Sequence, residues 1–201
     1  MQRKKYLEVK IPTVSKRQEQ TLAIIGQGYV GLPLAMAAVD AGWTVIGVDS
    51  FEAKVTQINS GSSPVEDISD DQLQAAISKG AYTATADFSA VSKASVITIC
   101  VPTPLDDKRE PDLALLRSAA TGIAPYVSNE TLVVSESTSY PGTLRKEIAA
   151  RINSVAHLYA SSPERVDPGN TQWGTKNTPR LIGGLTPQAV AKAKEFYATF
   201  C

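Results

Sequence analysis

The stretch TLAIIGQGYVGLPLAMAAVDAG, residues 21–42, changes its hydrophobic period part-way along. TLAIIG (21–26) is a short apolar run of strand length, and YVGLPLAMAAVDAG (29–42) repeats at helical spacing until Gly42 closes it. Between the two lie Gly26, Gly28 and Gly31 in G-x-G-x-x-G order, with Tyr29 and Val30 inside the loop. A strand, such a loop and a helix together make a dinucleotide cradle. Gly26 permits the tight turn, Gly28 lets the backbone approach a pyrophosphate, and Gly31 lets the helix pack closely on the strand. The free N–H groups at the helix start favour the phosphates.

The next run, WTVIGVD (43–49), reads as a second strand ending in Asp49, eighteen residues after Gly31. An acid about 20 residues beyond the last glycine accepts hydrogen bonds from the adenosine ribose. Its charge repels a 2′-phosphate, and SFEAK (50–54) offers no arginine to offset it, so NAD is expected rather than NADP. Lys54 is a candidate for the adenine ribose edge, or simply a solvated helix lysine.

Strand and helix patterns alternate along the rest of the chain. FEAKVTQINSG (51–61), SDDQLQAAISKG (69–80, with Ser69 or Asp70 as N-cap), PDLALLRSAATGIAP (111–125), GTLRKEIAARIN (142–153) and TPQAVAKAKEFYATF (186–200, capped by Thr186) read as helices. YTAT (82–85), ASVITICVP (94–102), ETLVVSEST (130–138), AHLYASSP (156–163) and RLIGG (180–184) read as strands. This order predicts an α/β fold: a doubly wound, mostly parallel Rossmann-like sheet with helices on both faces, over residues 21–201.

Composition narrows the function classes. Twenty basic and twenty acidic residues cancel, so no global field points to nucleic acid or an anionic membrane. The first twenty residues carry six Lys or Arg against two Glu but no apolar core, and read as a basic, solvated lead-in rather than a secretory signal. Two distant cysteines and one histidine, His157, give no metal spacing and require no oxidising compartment, so no metal and a cytoplasmic setting are expected.

Ligands of open parallel sheets sit at the carboxyl ends of strands. Three such ends here are rich in proline and small hydroxyl residues: CVPTP (100–104), SESTSYPG (135–142) and SSPERVDPGN (161–170). Thr103, Ser137, Thr138 and Glu164 are the hydrogen-bonding groups of a polar wall expected to face the nicotinamide, with Val101 and Pro102 as further candidate cofactor contacts. The alternative is that these are ordinary turns whose hydroxyls cap the next helices. Thr143 reads as an ordinary helix-capping hydroxyl.

GQGYVGLPLA, CVPTPLDDKREPDL, ESTSYPGT, SSPERVDPGN and TPRLIGG occur in the order found in the UDP-glucose/GDP-mannose dehydrogenase family, which the chain resembles from about Thr21 to its end. The resemblance implies oxidation of C6 of a UDP-sugar to the carboxylate with two NAD, through an aldehyde captured by a cysteine. By motif, Thr103 resembles the threonine beside the nicotinamide and the catalytic water. Glu164 resembles the acid of thioester hydrolysis that borders the sugar, and Arg165, Val166 and Asp167 follow the backbone that grips the UDP-sugar. Some relatives place a second glutamate four residues after the first; Pro168 stands there, leaving the role vacant or passing it to Asp167. UDP-N-acetylglucosamine is the favoured substrate, ahead of UDP-ManNAc, UDP-GalNAc and UDP-glucose. The glycine-rich motif of the nucleophilic cysteine does not occur. Cys100 reads as a buried small hydrophobe and Cys201 as the last residue of an unfinished helix. The chain by itself is therefore expected to bind NAD without turnover, with the rest of the sugar site and a homodimer interface in a C-terminal half. The rival readings are a β-hydroxyacid-type dehydrogenase and an NAD-sensing module.

Overall fold

The computed structural model describes residues 20–152, 158–165 and 174–201. β1 (Thr21–Ile25), β2 (Thr44–Val48), β3 (Tyr82–Thr85), β4 (Val96–Ile99), β5 (Leu132–Ser135) and β6 (Tyr159–Ser161) pair in parallel. β7 (Gly183–Gly184) joins β6 antiparallel. The order across the sheet is β3-β2-β1-β4-β5-β6-β7. The chain therefore starts at mid-sheet, winds outward one way and returns to wind the other. That reversal opens a crevice at the carboxyl ends of β1 and β4, the place where open α/β sheets hold ligands.

Six α-helices are described: α1 (Gly31–Asp40), α2 (Glu52–Asn59), α3 (Asp70–Ser78), α4 (Ala114–Ile123), α5 (Ala150–Ile152) and α6 (Pro187–Tyr197). Strands buried on both faces need apolar side chains at every position, which is why β1 reads as an unbroken run. Leu22 and Ile24 pack on one face with Leu32, Leu34 and Met36 of α1 and Phe196 of α6. Ala23 and Ile25 pack on the other with Leu116 and Ile123 of α4 and Ile148. α6 is docked by Trp43, whose Nε1 donates to Thr199 Oγ1 at 3.0 Å and whose ring meets Phe196 edge-on at 5.3 Å.

The expected sheet and helices form, with corrections at their ends. α4 starts at Ala114, not at Pro111, because the Asp112 carboxylate accepts from the Ala114 N–H at 2.8 Å and Pro111 bridges back to Leu105. The helix expected over 142–153 begins as a π-helical segment, Leu144–Ala149, that runs into α5. Thr143 does not cap it; its hydroxyl donates backward to the Tyr140 carbonyl at 2.8 Å. Ser69 and Thr186 do cap, accepting from the N–H groups of Gln72 and Ala189. A 3-10 turn over Phe88–Lys93, seated on the Asp87 side chain, has no apolar periodicity to announce it.

α1 meets the end of β1 with no space for a side chain at Gly31. A methyl placed on Gly31 would sit 1.8 Å from the Gly26 carbonyl oxygen. Gly31→Ala should therefore force strand and helix apart and lower stability by about 1–3 kcal/mol, the usual cost of overpacking. Urea unfolding is the check, and an unchanged midpoint would contradict this packing.

Candidate active site

The crevice is a cleft of about 510 Å³ bordered by the glycine loop, Asp49 and Lys54 at one end and by Thr103, Glu136, Thr138 and Glu164 at the other. The glycine loop is threaded between neighbouring strand ends. Gly26 has φ +94°, its N–H donates to the Val48 carbonyl at 2.7 Å, and a methyl on it would approach the Cys100 carbonyl oxygen to 2.7 Å. Gly28 differs: a methyl there would meet no atom within 4 Å. Gly26 and Gly31 are thus glycines because protein fills the space, and Gly28 because the cleft does. The open backbone at Gly28, beside the first turn of α1, fits a pyrophosphate.

Asp49 fixes the far end. Its Oδ2 accepts from the Gln27 N–H at 2.9 Å and from Lys54 Nζ at 2.8 Å, and its Oδ1 accepts from the Phe51 N–H at 3.1 Å. Burial alone would raise its pKa, but the Lys54 ammonium and the two backbone donors hold it below the usual carboxylate value. The ionised carboxylate keeps acceptor capacity for a ribose hydroxyl. Lys54 is therefore paired with Asp49 rather than merely solvated. Beyond the pair a second hollow of about 270 Å³ is lined by Phe51, Phe88, Leu115 and Ala119, apolar enough for a flat base. The loop itself rests on Gln27, fully buried, whose Oε1 accepts from the Tyr82 hydroxyl at 2.7 Å.

Hydrogen bonds lace together the loops after β4 and β5. The Thr103 hydroxyl donates to the Thr138 carbonyl at 2.7 Å, and the Ser137 hydroxyl to the Val101 carbonyl at 2.7 Å. Both hydroxyls thus build the wall before they face any ligand. Val101 is half-buried and Pro102 exposed in the same wall. Cys100 is buried, and burial pushes its thiol well above the ordinary value, as suits a small core side chain.

At the Glu164 end the structure brings in residues that the sequence reading did not select. Arg180 Nη2 donates to Glu164 Oε2 at 2.6 Å, and its Nη1 to Glu136 Oε2 at 3.2 Å. The Tyr197 hydroxyl donates to Glu136 Oε1 at 2.6 Å. Burial pushes Glu136 up to about 7 despite the pull of Arg180 and Tyr197, and Glu164 adds to the push. The Arg165 N–H donates to Glu164 Oε1 at 2.7 Å and the Arg165 side chain is exposed. Val166 and Asp167, expected to grip the sugar nucleotide, lie outside the described residues, as does Pro168. The available signals were a carboxylate directly after the apolar run LVVS, and a lone arginine against LIGG in a motif already noticed.

Residues 20–201 match the model of the UDP-glucose/GDP-mannose dehydrogenase family, NAD binding domain. The chain belongs to that family. A UDP-N-acetyl-D-mannosamine dehydrogenase of Methanococcus vannielii is 35% identical over 193 residues, 92% of this chain and 43% of the relative. An NDP-N-acetyl-D-galactosaminuronic acid dehydrogenase of Ralstonia nicotianae is 34% identical over 195 residues, 90% of this chain and 45% of the relative. A solved UDP-D-ManNAc dehydrogenase of Pyrococcus horikoshii superposes with a TM-score of 0.82 at 32% identity, covering 90% of this chain and 45% of that one. The chain spans less than half the length of these family members. In this NAD-binding domain the glycine loop and Asp49 line the same cleft. Among the described residues no helix is long and apolar enough to cross a membrane.

Two predictions come from this geometry. Gly28→Ala should leave the urea midpoint close to that of the parent but weaken NAD, because the added methyl enters the cleft alone. Asp49→Ala should weaken NAD by roughly ten- to a hundredfold, the range for a lost hydrogen bond to a charged group. Calorimetric titration of the chain with NAD reads both, and unchanged affinities would remove the glycine loop and Asp49 from the cofactor site.

Glu136 predicts a pH dependence. Its folded pKa, about 7, lies above the ordinary 4.5, so between those values the folded chain holds a proton that the unfolded chain has lost. Its contribution to stability is full below about pH 4.5 and falls as pH rises toward 7. Glu136→Gln should remove that fall, so the variant's midpoint relative to the parent should rise from pH 5 to pH 7. Parallel curves would show that Glu136 is not held protonated.

Proposed function

We propose that the complete protein oxidises C6 of a UDP-N-acetylhexosamine from alcohol to carboxylate with two NAD, and that this chain supplies its cofactor half. The observation that carries the reading is a single cleft running from the glycine loop and Asp49 to Glu164. A cofactor seated on the loop would extend its reactive end toward Thr103 and Glu164. NAD supplies the hydride acceptor, and the rest is work for side chains. Asp49 accepts from the ribose, Gly28 admits the pyrophosphate, and the Thr103 to Thr138 lacing keeps the nicotinamide wall rigid. Glu164 manages the proton of the water that hydrolyses the thioester left by the second oxidation.

For the hexose, the loop motifs favour UDP-N-acetylglucosamine, whereas the names of the archaeal relatives support UDP-N-acetylmannosamine. Both are 2-acetamido sugars, and that class is the reading. Homodimer formation through the half beyond this chain belongs to the same proposal. The test is the complete enzyme with NAD and, in turn, the UDP-activated N-acetylated gluco, manno and galacto sugars. Two NADH per sugar are expected from at least one of them. One NADH would indicate a simple alcohol dehydrogenase, and none an NAD-binding module without chemistry.

A further inference from the structure

The acid at the sugar end of the cleft does not stand alone. Four groups from separate parts of the chain converge: Glu136 just after β5, Glu164 just after β6, Arg180 ahead of β7, and Tyr197 at the end of α6. The side chains of Arg180, Glu136 and Glu164 are 7%, 0% and 9% exposed. One guanidinium serves both acids, at 3.2 Å and 2.6 Å, and also lies over the Tyr197 ring, with Cζ 4.5 Å from its centroid. The Glu164 N–H donates to the Glu136 carbonyl at 3.1 Å, so the acids are joined through the backbone as well.

We propose that Arg180 is a positioning residue for Glu164, with Glu136 and Tyr197 as the abutment that holds its guanidinium in place. The inference deepens the function proposed above and rests on Glu164 being its acid-base group. A guanidinium is a rigid planar fork, so the direction of its Nη2–H fixes where the bonded carboxylate oxygen lies. The second fork end and the ring face remove its remaining freedom. Glu164 Oε2 is thereby tied back and Oε1 is tied to the Arg165 N–H, which leaves the carboxylate one orientation in the cleft wall. Burying an arginine together with two acids is a poor route to stability. Its location at the mouth of the cleft gives the arrangement a use there.

The titratable groups facing Glu136 are Arg180, Tyr197, Glu164, Cys100 and Cys201. Tyr197 is pushed well above its ordinary value by burial and stays a donor. With Glu136 pushed up to about 7, its own proton is exchangeable close to neutral pH, beside the guanidinium that also holds Glu164. When that proton leaves, Glu136 competes with Glu164 for Arg180.

In the complete enzyme, Arg180→Met should lower kcat by about tenfold or more, the scale of a misplaced reacting group, and leave KM for NAD within about twofold. Arg180→Lys, which cannot span both acids, should recover only part of the loss. In a Glu164→Gln background, Arg180→Met should add no further loss. Equal losses in both backgrounds would overturn the proposal. Full turnover of Glu164→Gln alone would instead overturn the role of Glu164 on which it rests, so the two failures are distinct. NAD calorimetry on the 201-residue chain shows whether Arg180→Met folds. If it does not, Arg180→Lys decides: kcat should fall while KM for NAD stays within about twofold, and a kcat equal to the parent's would overturn the proposal.

Discussion

The first turn of α1 rests on the carbonyl of Gly26 with no room for a methyl between them. Everything else in the cofactor half follows from that contact. It brings the helix N-terminus down onto the end of β1, and it leaves the loop between them only a narrow path. Gly26 takes that path by hydrogen bonding to Val48 on one side and passing against the Cys100 carbonyl on the other. The loop is thus held by both neighbours of β1, and the crevice it borders inherits the rigidity of three parallel strands.

A second layer fixes the loop from below. Gln27 turns inward, meets the Tyr82 hydroxyl, and sends its backbone N–H to Asp49. A methyl on Gly47 would fall 2.5 Å from that hydroxyl and 2.6 Å from the Gln27 amide oxygen, so β2 carries a glycine in mid-strand to make room. The acid that would recognise a ribose is therefore also a brace for the loop that would hold the phosphates. The scaffold role alone accounts for a carboxylate that is buried and bonded to Gln27, Phe51 and Lys54.

The sequence was most legible where structure is local or where burial is uniform. β1 and β4 are covered on both faces, so their apolar runs were unmistakable, and the glycine spacing fixed the strand-to-helix turn. The caps at Ser69 and Thr186 need only three residues of context. Legibility failed where local chemistry competed, as at Asp112, whose side chain begins α4 late, and at the π-helical start before α5. It failed more completely at Glu136, Arg180 and Tyr197. Those partners lie 44 and 61 residues apart, and no hydrophobic period records which distant polar groups will meet. The proline-flanked Glu164 stood out; what holds it did not.

The outermost strand has a different importance. β7 contributes only Gly183 and Gly184 and runs against the direction of the other six. An edge that short exposes almost no unpaired ladder, so another chain finds little to add to. A sheet whose interior strands are as apolar as these would be a ready template for intermolecular pairing while the domain forms. Among the described residues the sheet ends on this side in two glycines, while the four-residue β3 forms its other edge.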